Sequence, residues 1–412
     1  MTKIEIQNIG PIVDVSFELS KINVLMGPQS SGKSTIAKII SYCQWAEKRY
    51  LLDGKFEYDV FEQLLEFHRL NENYFSESSL FIYESEFIKI QYKGKKLKSS
   101  FRKKNTKKIY KKSKNIYIPS ERNFVSVIPN LAKYKETNDN IMSFVYDWFT
   151  AKRMYNSQNS LSVLNLGVKF YNKVESDNDV LLLQNKKEIL LREGSSGLQS
   201  VIPLIVLIEY LTEHIYTNNV NSVEERDSLK KYLIDNISKI LNVNNINEID
   251  KLSSLDINEN DLKKIILSYH KTQFLKSYYH TNFIIEEPEQ NLFPTTQRDL
   301  INYLFLKMKD EKEHSLLLTT HSPYILYAIN NCLMGHNVKN NLSEEEFNEF
   351  SNSASWTNPN DVSIWQVQDG TLVSVKDIKT KTVTKHYFNE ITKDIMDEYY
   401  EMLNNFEYDS QN

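Results

Sequence analysis

The run Gly27-Pro28-Gln29-Ser30-Ser31-Gly32-Lys33-Ser34-Thr35 sets two glycines, a lysine and a hydroxyl in the order that wraps a polyphosphate. Glycines let successive backbone N–H groups converge on phosphate oxygens, Lys33 reaches the outer phosphates, and the Ser34 hydroxyl is placed to ligate Mg²⁺. The setting is right for such a loop. An apolar run, Ile22 to Met26, precedes it, and a helix-like stretch, Ser34 to Tyr42, follows and adds the positive potential of its N-terminus. Binding of a nucleotide with Mg²⁺ is the chemistry expected here. The 412-residue chain holds only ten glycines, and two more, Gly194 and Gly197, fall in Arg-Glu-Gly-Ser-Ser-Gly-Leu-Gln-Ser ahead of a long apolar helix.

Two further segments carry chemistry. Phe283-Ile-Ile285-Glu286-Glu287-Pro288 is an apolar strand ending in two carboxylates. Beside a phosphate loop, Glu286 is expected to hold Mg²⁺, directly or through water, and Glu287 to polarise the attacking water. Leu316 to Thr320 is a second apolar strand, ending in His321-Ser322-Pro323. Of the eight histidines, His321 alone follows the carboxylate strand in this way, which would bring its imidazole to the γ phosphate and the water. The turn Ser195-Ser196-Gly197-Leu198-Gln199 opens a helix, where a polar turn either serves as a plain cap or binds an anion, the reading its company with the other motifs favours. In its own subunit it has no second phosphate to meet, so it is expected to close over nucleotide held by another copy.

The elements that must position these groups are legible as periodicities. Period-2 alternation over Lys3 to Asn8 and Val13 to Leu19 predicts two antiparallel strands around Gly10-Pro11, then the strand into the phosphate loop. Helical spacing is seen over Phe56 to Leu70, a strand over Leu80 to Tyr92 and a short one over Asn115 to Ile118. Asp139 to Ser157 reads as a helix, Asp179 to Leu191 as a hairpin and Leu198 to Tyr216 as a helix despite Pro203. From residue 282 the order strand, helix, strand, helix predicts a parallel sheet, followed by a hairpin over Ser363 to Val375 and a helix over Asn389 to Asn404. The expected division is an N-terminal lobe at 1–121, a helical region with the second glycine window at 122–221, a polar helical insertion at 222–281 and a C-terminal lobe at 282–412.

Composition narrows the class. At 48.5 kDa and 41% hydrophobic residues the chain is globular. Cys43 and Cys332 lie far apart, so neither a disulfide framework nor a structural zinc site is expected. The longest apolar run, Val201 to Ile208, is far short of the roughly twenty residues of a membrane helix, so a cytoplasmic protein without membrane contact is expected. Between Lys93 and Lys114 there are twelve Lys or Arg and no Asp or Glu, within a chain of net charge -4. Such a patch fits DNA or another polyanion, or else a solvated loop or hairpin.

Taken together, the phosphate loop, Ser-Ser-Gly-x-Gln, Glu286-Glu-Pro-Glu-Gln-Asn-Leu-Phe-Pro294 and Thr320-His-Ser-Pro-Tyr-Ile-Leu326 resemble the ABC-type ATPases. With Ile-Gln-Asn-Ile-Gly-Pro-Ile near the start, they look most like the SMC, RecF and OLD-like branch, whose smaller members are often labelled AAA-family ATPases. The resemblance implies an α/β P-loop NTPase of the ABC/SMC-head type, a mixed sheet with an antiparallel N-terminal sub-sheet and helical insertions. It also implies a homodimer or higher oligomer with ATP between the loop of one copy and Ser196-Gly197 of the other. On that pattern Lys33 and Ser34 match the Walker A pair, Glu286 the Walker B position, Glu287 the catalytic glutamate and His321 the switch histidine. Glu286 replaces the usual aspartate, Leu198 the second signature glycine, and Arg122 is a candidate for sensing nucleotide. Relatives in RecF and in antiphage systems of the Septu, retron and PARIS-like kinds imply a separately encoded effector, such as a nuclease. Alternatives are an ATP-dependent oligomeric scaffold with slow turnover and a transporter nucleotide-binding subunit; the latter lacks its usual Leu-Ser-Gly-Gly-Gln and Asp-Glu-Pro-Thr here.

Overall fold

The computed structural model describes residues 2–54, 56, 60–95, 98–128, 139–217, 278–384 and 386–406. The insertion expected at 222–281 lies outside the described residues up to 277. The chain opens with Thr2–Ile9 (β1) and Ile12–Leu19 (β2), whose alternate apolar side chains are buried, then enters Ile22–Met26 (β3), buried at every residue. A strand with no exposed face is the mark of a central parallel position.

Phe75–Glu84 (β4), Ile88–Lys93 (β5) and Lys98–Lys103 (β6) join the first two strands in a five-stranded antiparallel sheet, ordered β2-β1-β4-β5-β6. The single strand expected over 80–92 is therefore two. Its break is the turn at Ser85, whose Oγ accepts from Phe87 N (3.0 Å) and Ile88 N (3.2 Å). The polar run Glu84-Ser85-Glu86 interrupts the apolar pattern there and is the sequence signal of this turn.

The second sheet collects distant segments. Ser113–Ile118 (β7), His280–Glu286 (β12), Ser315–Thr320 (β13), β3 and Val362–Gln368 (β14) are parallel neighbours, and Thr371–Ser374 (β15) closes the order β15-β14-β3-β13-β12-β7 as an antiparallel edge. Asp369 (φ 48°) and Gly370 (φ 72°) form the two-residue turn of that last hairpin. A third, four-stranded antiparallel sheet consists of Leu161–Ser162 (β8), Lys169–Lys173 (β9), Asn178–Leu182 (β10) and Glu188–Leu190 (β11). The hairpin expected at 179–191 is β10 and β11; the two strands before it have no expectation to match.

Alternation in the central strands divides the interior. Ile22, Val24 and Met26 point to one apolar core with Phe283, Ile285, Leu316 and Leu318, whereas Leu25, Ile284 and Leu317 point to the other. Lys33–Asp53 (α1) fills the space between the two large sheets with Ile36, Ile39, Ile40 and Cys43, and Val60–His68 (α2) joins it. Asn140–Lys152 (α3), Ser196–Glu209 (α4), Pro294–Lys307 (α5) and Pro323–Val338 (α6) cover the opposite face. Tyr387–Asn404 (α7) ends the described chain. Cys43 and Cys332 are buried free thiols. Among the described residues no helix is long and apolar enough to cross a membrane.

The basic segment is partly spent inside the fold. Lys112 is buried with its ammonium 4.2 Å from the Tyr278 ring, and Lys114 pairs with Asp147 at 2.8 Å where both side chains are largely enclosed. Lys104, Lys108 and Lys111 pair with Glu84, Glu86 and Glu313. Arg102, Lys103 and Lys107 are exposed on and after the edge strand β6.

Candidate nucleotide site

The loop after β3 requires its glycines. Gly27 (φ 145°) and Gly32 (φ 104°) occupy backbone that side chains rarely adopt, and a Cβ at Gly27 would lie 2.4 Å from the Val367 carbonyl oxygen. Lys33 is buried at 5% exposure and turns back into the loop, where Nζ donates to Gly27 O (3.0 Å), Pro28 O (2.7 Å) and Ser31 Oγ (3.3 Å). Burial lowers its pKa to about 8, against the opposing pull of Glu287, Glu289 and Glu286, in that order. Those three carboxylates therefore all act on the same ammonium. Ser34, one residue into the helix, is exposed.

Register explains how they arrive there. Glu286 of β12 lies opposite Thr319 of β13, and Thr320 lies opposite Met26, so Glu287, His321 and Gly27 leave the sheet at one edge. Glu287 adopts φ 42° and its N–H donates to Thr319 O (3.0 Å). This turn brings Oε1 to 3.4 Å from His321 Nε2. The contact with His321 is the largest influence on Glu287 and holds its carboxyl below the usual range, so it is ionised at neutral pH. A carboxylate and an imidazole side by side at the mouth of an anion-binding loop can orient and deprotonate a water.

Glu286 is 7% exposed, and its Oε1 is enclosed and accepts no hydrogen bond. The Tyr117 hydroxyl lies close enough that Glu286 helps burial raise its pKa, yet it does not complete a hydrogen bond. An enclosed, unsatisfied carboxylate oxygen is an acceptor awaiting a cation. Together with the Ser34 hydroxyl and nucleotide phosphates, it matches the sparse protein ligand set that Mg²⁺ takes.

The 195–199 turn is built as a helix cap. Ser195 Oγ accepts from Leu198 N (3.4 Å), and Ser195 and Ser196 are exposed. Gly197 sits against the loop after β12, where a Cβ would meet Asn291 O at 2.8 Å. Gln199 turns inward and donates from Nε2 to Arg192 O and Gly194 O, both 3.0 Å, bracing the turn from behind. No hydrogen bond joins the turn to residues 27–35 among the described residues.

The core is an α/β fold in which the central strand β3 runs through a glycine loop into α1. No family model matches the sequence, and no curated protein matches it significantly. Among solved structures, the SMC head domain from Thermotoga maritima is similar over 91% of this chain and 98% of its own, at 10% identity and a TM-score of 0.38. The Pyrococcus furiosus SMC head bound to the C-terminal domain of ScpA covers 97% of this chain and 100% of its own, at 9% and 0.39. The recombination mediator RecF covers 90% and 97%, at 12% and 0.30. At these scores the site is defined by this chain's own sheet order and loop geometry.

Two further side chains lie beside this site. Glu289 had no assigned role, but it is half-buried with its Oε2 enclosed, and its Oε1 accepts from Thr320 Oγ1 (2.8 Å) and His321 N (2.6 Å). Burial raises its pKa, so this carboxyl ties the histidine's backbone to the loop after β12. The only sequence signal was its place in Glu-Glu-Pro-Glu. Arg122, expected as a nucleotide sensor, is fully buried at 0% exposure. Its guanidinium donates to the carbonyls of Ser200 (3.2 Å), Pro119 (3.3 Å), Glu286 (2.9 Å), Glu287 (2.9 Å) and Pro288 (3.2 Å).

Proposed function

We propose that this protein is an ATP hydrolase whose two copies close over two ATP molecules, each lending its 195–199 turn to the other's P-loop, and whose opening after hydrolysis switches a bound partner. The observation that carries this reading is the Glu287–His321 pair, 3.4 Å apart, at the sheet edge shared with Lys33. Gly27 to Thr35 would cradle the phosphates, Glu287 would take a proton from water and His321 would orient it. Ser34 and Glu286 would hold Mg²⁺, which when bound neutralises charge on the phosphates. The exposed Ser195 and Ser196 at a helix N-terminus suit a phosphate arriving from outside the subunit. Ser196→Arg would block that approach. Turnover should fall roughly tenfold or more, with binding of a fluorescent ATP analogue by dilute protein unchanged. If specific activity stays independent of protein concentration and of this substitution, the paired arrangement is wrong.

The partner is proposed to be a separate effector chain in a DNA-related or antiphage complex, a reading supported by the motif resemblance alone. Contact with DNA would fall to Arg102, Lys103 and Lys107, since Lys112 and Lys114 are engaged within the fold. Reversing these three to Glu should lower duplex affinity and reduce the log–log salt slope by about three, at roughly 0.9 per phosphate contact. An unchanged slope in a fluorescence-anisotropy titration removes the patch from the account.

A further inference from the structure

Arg122 hydrogen-bonds to two parts of the site at once. On one side Nη1 and Nη2 hold the carbonyls of Glu286, Glu287 and Pro288, the peptides on either side of the left-handed Glu287. A residue other than glycine at φ 42° is strained and persists where its surroundings over-determine it. Three donors from one planar guanidinium supply that determination. On the other side Nε holds Ser200 O in the first turns of α4.

The opening of α4 toward this arginine follows from its sequence. Pro203 has no N–H, so the Gln199 carbonyl loses its helical donor, and Ser126 Oγ takes its place at 2.9 Å. Ser126 lies four residues from Arg122, so one short segment grips two successive carbonyls directly behind the 195–199 turn. All five Arg122 acceptors are neutral carbonyls, and the nearest negative charges are Glu289, Glu287, Glu286 and Glu121. A lysine could supply the charge, but not a fork that reaches Ser200 and Glu287 together.

We infer that Arg122 is a positioning residue that transmits the seating of the 195–199 turn to Glu287, so that water is oriented for attack when that turn engages a phosphate. The inference rests on the hydrolase reading above. A displacement of α4 along its axis would move Ser200 O, and the rigid guanidinium would carry it to the Glu287 peptide. Misplacing a reacting group by about 1 Å lowers turnover on the order of a hundredfold.

The test is a double-mutant cycle between Arg122→Lys and Ser196→Arg in the full chain, read as kcat, KM and affinity for a fluorescent ATP analogue. Arg122→Lys should lower kcat by roughly tenfold to a hundredfold, with analogue affinity unchanged. Adding Ser196→Arg to it should lower kcat no further, because the link that the blocked turn would have used is already cut. Additive losses, or a parallel loss of analogue affinity and melting temperature, would show Arg122 to be structural support only and overturn the inference. Should Arg122→Lys not fold, Ser126→Ala loosens the same α4 turn; a smaller fall in kcat with the same non-additivity supports the inference, and additivity overturns it. If the unsubstituted protein does not hydrolyse ATP, or ignores Ser196→Arg, the hydrolase reading itself fails and the inference with it. A responsive wild type with an equally responsive Arg122→Lys rejects the inference alone.

Discussion

Glu287→Gln should lower ATP turnover by about 10² to 10⁴-fold while leaving nucleotide affinity intact, the range that removal of a positioned general base produces. The amide has the shape of the carboxylate and can still meet His321, and neither Lys33 nor the loop glycines contact it through hydrogen bonds. What disappears is the basic oxygen. ATP and Mg²⁺ should therefore accumulate on the variant, and sedimentation velocity should show paired copies that disperse when nucleotide is removed. Because the contact with His321 holds Glu287 below the ordinary carboxyl range, activity should not fall through protonation of Glu287 until the pH drops beneath that range. Unchanged turnover in the variant would assign water activation to another group, and Glu289 is poorly placed for it. One oxygen of that carboxyl is enclosed, its pKa is raised, and the other oxygen already accepts two hydrogen bonds.

The chemistry-bearing motifs were legible because each depends on local chain geometry. Gly27 and Gly32 announce backbone that only glycine adopts easily, and they do adopt φ 145° and 104°. The strands ending at Glu286 and Thr320 are short apolar runs bounded by polar residues, and both are central parallel strands as expected. The order of strands was not legible. Nothing in residues 113–118 says that they pair with 280–285, or that β13 separates β12 from β3, because such pairings are set by tertiary packing across long loops. Arg122 shows the same limit at the level of one side chain. Its five acceptors come from segments up to 166 residues away and are backbone carbonyls, which carry no sequence signature. Glu289 differs, since a carboxyl three residues after Glu286 in a turn was visible, but its burial was not. The basic segment was visible as charge, whereas the partners that neutralise Lys104, Lys108, Lys111 and Lys114 lie elsewhere in the chain.

Lys33 carries the other large effect. Lys33→Ala should reduce turnover by at least about a hundredfold, since the ammonium is the only cation within the loop itself and its removal takes away a donor aimed at developing phosphate charge. The wild-type lysine should also make nucleotide binding pH-dependent. Without phosphate its pKa is about 8, because burial outweighs the three carboxylates around it. A bound triphosphate favours the ammonium and raises that value, so the complex binds a proton that the free protein has begun to lose above pH 8. Affinity should be flat below that point and then weaken by up to about tenfold per pH unit above it, since one proton is linked to one nucleotide. Calorimetry at pH 8.5 in two buffers of different ionisation enthalpy would register the proton taken up, and Lys33→Met should abolish it. If the substituted protein still takes up a proton, the titrating group is not Lys33. The hydrogen bonds from Nζ to Gly27 and Pro28 would then be the loop's permanent internal bracing, present with or without phosphate.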